Sequence, residues 1–133
     1  YRVEYLKSGR MDSWNIDEVY LPLFDRLPIV PWHIDIVRGD GYYYMIVGDV
    51  VKDLQGHLSY DIYIARSRDL TRWSFGSGKI MAEKPFGAIS VYRSTAYCEG
   101  EDMYVYFSCE SKFGVWRIGV VRKRIVDLFA FDR

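Results

Sequence analysis

Histidine and cysteine are scarce in this chain of 133 residues, with two of each. His33 and His57 stand apart in the sequence. Cys98 and Cys109 form no CxxC and share no Cys/His cluster of zinc-finger spacing, which removes a structural zinc module. Net charge is absent as well. Eighteen Lys and Arg balance eighteen Asp and Glu, and the longest basic run is Arg122-Lys123-Arg124. That balance argues against nucleic acid or an anionic membrane as partner. No apolar run approaches the roughly 18 residues of a membrane span, and no secretory leader opens the chain. No stretch of ten or more residues keeps a helical period. Gly76-Ser77-Gly78-Lys79 lacks the first glycine and the following helix of a phosphate loop, and no Gly-x-Ser-x-Gly elbow occurs. Neither cofactor nor metal is expected. The chain opens on Tyr1 rather than Met, which reads as a piece of a longer chain and leaves the compartment open.

What the chain has instead is aromatic weight. Half its residues are apolar, enough for a core. Seventeen per cent are aromatic, with 12 Tyr, 7 Phe and 4 Trp. Aromatic and β-branched residues favour strands. Strands are expected at Tyr42 to Val51, Tyr60 to Ala65, Met103 to Phe107 and Val115 to Val121, with turn residues between them, as in an all-β sandwich, barrel or propeller. Ile16 to Leu27 reads as an irregular stretch, and His57 as a solvated loop residue.

Internal repetition narrows the choice. Trp32-His33-Ile34-Asp35-Ile36-Val37 overlays Tyr92-Arg93-Ser94-Thr95-Ala96-Tyr97 at an offset of 60 residues. The same offset carries Tyr44 onto Tyr104 and Met45 onto Val105. A second signature ends three strands at Ser8, Ser67 and Lys123, each followed six residues later by Trp14, Trp73 or Phe129. Those anchors are 59 and 56 residues apart. A period near 58 built from four short strands describes a propeller blade. The expected fold is therefore an all-β, partial β-propeller of about two and a half four-stranded antiparallel blades. Residues 1–20 end one blade, 30–76 form a complete blade and 90–131 form the next, whose fourth strand falls at Val126 to Phe131. A closed ring takes roughly four to eight blades, so the remainder of a parent chain or self-association would complete it.

Ile62 to Trp73 reads I-Y-I-A-R-S-R-D-L-T-R-W. This resembles the S-x-D-(G/L)-x-x-W element of five-bladed propellers in the superfamily of glycoside hydrolase families 43 and 32. There the Asp-Leu or Asp-Gly makes a turn and the Trp packs between blades. Pro31 to Ile36 and Val91 to Thr95 look like inner strands of that group, and Val115 to Gly119 fits it. The resemblance covers most of residues 30 to 122. It implies a fragment of a five-bladed ring and a carbohydrate ligand.

In a propeller the innermost strands line the channel. His33 and Asp35 are two apart on such a strand, so both face one way. Asp35 is the candidate catalytic group, a general base or a partner for a sugar hydroxyl. The alternative is that His33 and Asp35 tie neighbouring blades together. Arg93 stands at the repeat position of His33 and Thr95 at that of Asp35. Arg93 offers a planar fork for a carboxylate or a pair of hydroxyls, or else a buried ion pair. Trp32 and Tyr92 are expected on the face opposite His33 and Arg93, as inter-blade packing or as a stacking platform for a sugar ring.

The related hydrolases use three inner-strand carboxylates, and only Asp35 stands at such a position here. Thr95 occupies the place where a second is expected, so a two-carboxylate mechanism does not assemble from these residues. Whether the chain is an enzyme is left open. A hydrolase-like propeller acting on or binding a glycan stands beside a non-catalytic sugar-binding or structural propeller. Cys98 and Cys109 are expected to remain unbonded, because about five strand residues at about 3.3 Å each separate their levels.

Overall fold

A computed structural model describes residues 5–10, 13–17, 29–52 and 58–130. Of the irregular stretch expected over Ile16 to Leu27, Ile16 and Asp17 close a strand and the remainder lies outside the described residues, as does His57. Among the described residues nine strands run in chain order: β1 (Tyr5–Arg10), β2 (Ser13–Asp17), β3 (Pro31–Gly39), β4 (Tyr42–Lys52), β5 (Leu58–Ser67), β6 (Ser74–Lys79), β7 (Ala88–Glu99), β8 (Asp102–Ser111) and β9 (Trp116–Arg124). They form a β1-β2 hairpin, a four-stranded sheet ordered β3-β4-β5-β6 and a three-stranded sheet ordered β7-β8-β9. Every pairing is antiparallel.

Local chemistry explains the corners. Asp40 and Gly41 turn between β3 and β4 with φ of 48° and 73°, the left-handed pair that a two-residue hairpin turn requires. Between β5 and β6 the chain reverses through the Ser-Arg-Asp-Leu-Thr-Arg-Trp element. Asp69 Oδ1 accepts the backbone N–H of Thr71 at 2.9 Å and of Arg72 at 2.8 Å. Ser67 Oγ accepts the N–H of Leu70 at 2.9 Å, and Trp73 Nε1 donates to the Leu70 carbonyl at 3.0 Å. The Arg72 and Thr71 N–H groups hold the Asp69 carboxyl well below the usual carboxylate range, because they bind only its charged form. The S-x-D-L-x-x-W spacing is thus a self-satisfied turn.

The two larger sheets repeat one another register for register. Ile34 pairs with Val47 and Val37 with Tyr44. Sixty residues on, Ser94 pairs with Phe107 and Tyr97 with Tyr104. Both first strands shift register near their start, after Pro31 and after Val91. In the third strands Ile46 pairs with Ile64 and Tyr106 with Val120, an offset of 60 on one side and 56 on the other. The two offsets read from the sequence therefore correspond to two different strands. The two first strands, β3 and β7, lie side by side.

The core fills the space between the sheets. Tyr44, Ile46, Ile62, Ile64 and Ile80 of the first meet Val91, Met103, Val105, Phe107 and Cys109 of the second. Burying one such side chain is worth roughly 1.5–3 kcal/mol, so this layer holds the sheets together. Met45, Val47, Ile29 and Ala65 form a second buried cluster on the other side of the first sheet.

One expectation is corrected. The strand expected at Val126 to Phe131 is absent over its described residues. Ile125–Leu128 form a short helix, α1, followed by a turn, and the second sheet has three strands among the described residues. The reason lies in spacing. Ile125, Leu128 and Phe129 stand at i, i+3 and i+4, a helical stripe. All three are buried in the inter-sheet core, where the Phe129 ring lies 6.1 Å from Tyr44. The segment closes the end of that core rather than extending the sheet edge. Ser77 Oγ of β6 donates to the Leu128 carbonyl at 3.3 Å.

Candidate functional site

The first strands bring most of the sequence-predicted residues to one place. Thr95 Oγ1 donates to Asp35 Oδ2 at 2.5 Å, and the N–H of Ile36 donates to Asp35 Oδ1 at 3.0 Å. Asp35 is thereby held from both oxygens. One partner is its own strand; the other is the residue at its own repeat position in the neighbouring sheet.

Tyr92 is the hub of an aromatic cluster beside this pair. Its ring meets His33 edge-on at 4.7 Å, Tyr60 at 4.9 Å and Trp116 at 5.9 Å. Trp32 Nε1 donates to the Tyr92 hydroxyl at 3.4 Å, and the Trp32 ring stands 6.1 Å from His33. Such edge-to-face pairs are the preferred aromatic geometry. Tyr92 is half-buried, whereas Trp32 is 56% exposed and Trp116 52% exposed. Two indole faces therefore flank the cluster on its wet side.

Arg93 is exposed, its guanidinium 5.9 Å from the Tyr92 ring centroid. His33 is half-buried, and its Nε2 is enclosed with no hydrogen-bond partner among the described residues. Burial, and then the positive charge of Arg93, push the His33 imidazole below its ordinary pKa, since both disfavour the imidazolium. The site thus presents one carboxylate, one imidazole held toward its neutral form, one guanidinium, the Thr95 hydroxyl and two exposed indoles.

Trp32 and Tyr92 were expected opposite His33 and Arg93, and the structure sets both against the His33 ring. The register shifts near the start of β3 and β7 make alternation a poor guide there. Sequence reasoning passed over Tyr60 and Trp116. A signal existed, because the two occupy one repeat position at the offset of 56 and pair with Val50 and Glu110, themselves 60 apart.

A second polar cluster sits at the same end of the first sheet, where Asp49 pairs with Pro31 beside Trp32 and His33. Asp49 is 2% exposed and accepts the Val30 N–H at 2.6 Å. Its cross-strand partner Asp61 pairs with Lys79 Nζ at 2.6 Å and lies 3.8 Å from Lys84 Nζ. Lys84 also donates to Ser59 Oγ and, at 3.1 Å, to the Ile89 carbonyl. This cluster laces the sheets together. Among the described residues no group of three or more His, Cys, Asp or Glu side chains is arranged to hold a metal ion, and no helix is long and apolar enough to cross a membrane.

No family model and no curated protein matches the chain. Solved structures do. The GH32 β-fructofuranosidase BmSUC1 of Bombyx mori is similar over 90% of this chain and 25% of its own, with a TM-score of 0.69 and 14% identity. An N-acetylgalactosamine deacetylase from F. plautii, solved with blood group B trisaccharide, is similar over 77% of this chain and 36% of its own, with a TM-score of 0.58 and 19% identity. The chain spans between a quarter and about a third of the length of these two structures. Its two antiparallel sheets thus share their fold with part of each of these structures.

Proposed function

We propose that this chain supplies part of a glycan-binding mouth in a hydrolase-like propeller, with the glycan held where β3 and β7 meet. The observation that carries the reading is the cluster itself. Asp35, Thr95 and Arg93 offer an acceptor, a hydroxyl and a forked donor within reach of one small polar molecule, and Trp32 and Trp116 offer flat faces for sugar C–H groups. Convergent polar groups beside aromatic walls suit such a ligand. The structural relatives are named for carbohydrate chemistry, which supports the same class.

Binding is favoured over hydrolysis by one feature. Glycoside hydrolysis needs two carboxyl groups about 5–9.5 Å apart, and this cluster contains one among the described residues, already engaged by Thr95 and Ile36. Asp35 then acts as an acceptor for a sugar hydroxyl, and His33 as its neutral neighbour.

The test is titration of the chain with fructose- and galactose-containing oligosaccharides, read by tryptophan fluorescence and calorimetry. Saturable binding that weakens at least about ten-fold in Trp32→Ala, a loss of about 1.4 kcal/mol, supports the reading. No binding across the panel by a folded chain overturns it. Turnover of a glycoside that disappears in Asp35→Asn while binding survives would replace binding with catalysis.

A further inference from the structure

Two corners of the molecule match by repeat position and differ in charge. By the offsets that register fixes, 60 for the second strands and 56 for the third, Asp102 is the image of Tyr42, Arg122 of Arg66 and Arg124 of Arg68. In the second sheet a carboxylate answers each arginine. Arg122 Nη2 donates to Asp102 Oδ2 at 2.5 Å, and Arg124 holds Asp127 by Nε at 3.1 Å and by Nη2 at 2.9 Å. In the first sheet Tyr42 stands in the place of Asp102. The Arg68 guanidinium lies 4.8 Å from its ring centroid and donates from Nη2 to its hydroxyl at 2.8 Å. Among the described residues no carboxylate pairs with Arg68, and the tyrosine bond engages one of its five N–H donors. The Arg66 guanidinium lies 5.1 Å from the same ring and 4.3 Å from that of Phe129. Arg72 Nε meets Asp69 Oδ2 at 3.1 Å. An open cleft of about 290 Å³ lies among these groups, lined by Tyr42, Arg66, Arg68, Asp69, Arg72 and Ser74 among others. It sits at the end of the first sheet where Tyr43 pairs with Ser67. Trp32 and His33 lie at the other end, where Pro31 pairs with Asp49.

We infer that this cleft binds the carboxylate of a small organic acid, held between Arg68 and Arg72 beside the Tyr42 ring. The inference does not rest on the glycan reading. The repeat names the chemistry: the matching corner of the second sheet is filled by the Asp102 carboxylate, and here the uncharged Tyr42 leaves that charge to come from outside. The electrostatics agree. Three guanidinium groups line the cleft against one carboxylate. That carboxylate, Asp69, is already engaged by the Thr71 and Arg72 N–H groups and by Arg72 Nε. The donors are also preorganised. Tyr42 fixes Arg68 and Asp69 fixes Arg72, so less side-chain freedom remains to be lost on binding. A guanidinium fork matches a planar carboxylate through two parallel bonds. The cleft has room beyond the carboxylate for a short carbon body against the Tyr42 ring.

The test is titration of the isotope-labelled chain with sodium glucuronate, with sodium chloride holding the ionic strength constant. The readout is the Arg Nε–Hε and backbone amide resonances. The expected result is a saturable shift at Arg68 and Arg72 that glucose does not produce, while Arg124, already filled by Asp127, stays still. Arg68 and Arg72 are exposed, so Arg68→Gln and Arg72→Gln leave the fold intact. Each should weaken glucuronate about five-fold or more, since an exposed charge pair is worth up to about 1 kcal/mol. The shifts are read at this end of the sheet, so failure of the glycan reading leaves the result untouched. No saturable shift in the folded chain would overturn the proposal. So would equal shifts at Arg124, which would mark unspecific attraction of anions, or an affinity unchanged in both variants. Sulfate or phosphate moving Arg68 and Arg72 where glucuronate does not would overturn the assignment to a carboxylate.

Discussion

Thr95 donates its hydroxyl proton to the Asp35 carboxylate at 2.5 Å, and the two residues occupy one position in consecutive copies of the same repeat. The contact therefore joins the sheets along the line where their first strands meet. Hydrogen bonds to charged groups are generally worth about 1.5–3 kcal/mol, and solvent exposure of Thr95 reduces that toward about 1 kcal/mol. Thr95→Val is expected to destabilise the chain by about that amount. In a double-mutant cycle with Asp35→Ala, a coupling of about 0.5–1.5 kcal/mol is expected from urea denaturation. Additive single effects would show that the contact joins nothing.

His33 sets an acid limit. Its folded pKa lies below the ordinary 6.5, first through burial and then through Arg93. The unfolded chain therefore binds the His33 proton more readily than the folded one, and stability rises with pH across that interval. The contribution is complete above pH 6.5 and is lost as pH falls through the lowered folded value. His33→Gln is expected to flatten this part of the stability–pH curve, measured by denaturation midpoints between pH 7.5 and 5. Removing the charge with Arg93→Gln should move the folded titration back toward 6.5, visible in the histidine ring resonances. An unchanged curve in His33→Gln would assign the acid sensitivity elsewhere.

The repeat was legible in the sequence because it is carried by side chains with strong preferences. Aromatic and β-branched runs mark β4 and β8, and the Ser67-to-Trp73 turn satisfies itself from neighbouring residues. The two unequal offsets matched equivalent strands of the two sheets, about 60 for the first two and 56 for the third, which the observed pairings share. The end of the second repeat was misread for a physical reason. Val126 to Phe131 is apolar enough for a strand, and the anchor at Phe129 matched Trp73, but the stripe of Ile125, Leu128 and Phe129 has helical period and serves the inter-sheet core. Of the candidate site, the placement of Asp35 and Arg93 on adjoining first strands was legible from the repeat. The Tyr92 hub with Tyr60 and Trp116 was not, because irregular register near the start of β7 breaks the alternation from which facing is read.

Cys98 is half-buried at the end of β7, and its side chain occupies the space beside Gly39, where an added Cβ would come within 2.4 Å of Cys98 Cβ. Burial, and then the Asp40 carboxylate, raise its thiol pKa, so the reactive thiolate is scarce near neutrality. Cys98 is expected to alkylate with iodoacetamide more slowly than free cysteine at pH 7.5, and to accelerate only above the ordinary thiol range. Asp40→Asn should speed it modestly. Cys98 and Cys109 are both free, so the mass under non-reducing conditions should equal the reduced mass. Rapid modification of Cys98 in the folded chain would contradict the burial of its sulfur.

Gly76 is where the short helix and the first sheet touch. A Cβ there would stand 2.5 Å from the Leu128 carbonyl oxygen and 2.8 Å from Ile64 Cγ2. The first neighbour is backbone and cannot rotate away. Gly76→Ala must push α1 off β6, and it disturbs the packing of Leu128 and Phe129 and the Ser77 bond to the Leu128 carbonyl. Overpacking of this kind costs about 1–3 kcal/mol, which lowers Tm by roughly 4–11 °C at this chain length. Gly48→Ala is the matched comparison. Its added Cβ would meet only His33, at 3.6 Å, and replacing a strand glycine by alanine reduces the entropy of the unfolded chain, so its Tm should hold or rise. Limited chymotrypsin digestion gives a local readout, since release of α1 exposes the bond after Phe129. Cleavage there should be faster in Gly76→Ala than in the parent chain and unchanged in Gly48→Ala. Equal Tm and equal cleavage in both variants would mean that α1 is not held against β6, and that the end of the inter-sheet core is closed by something else.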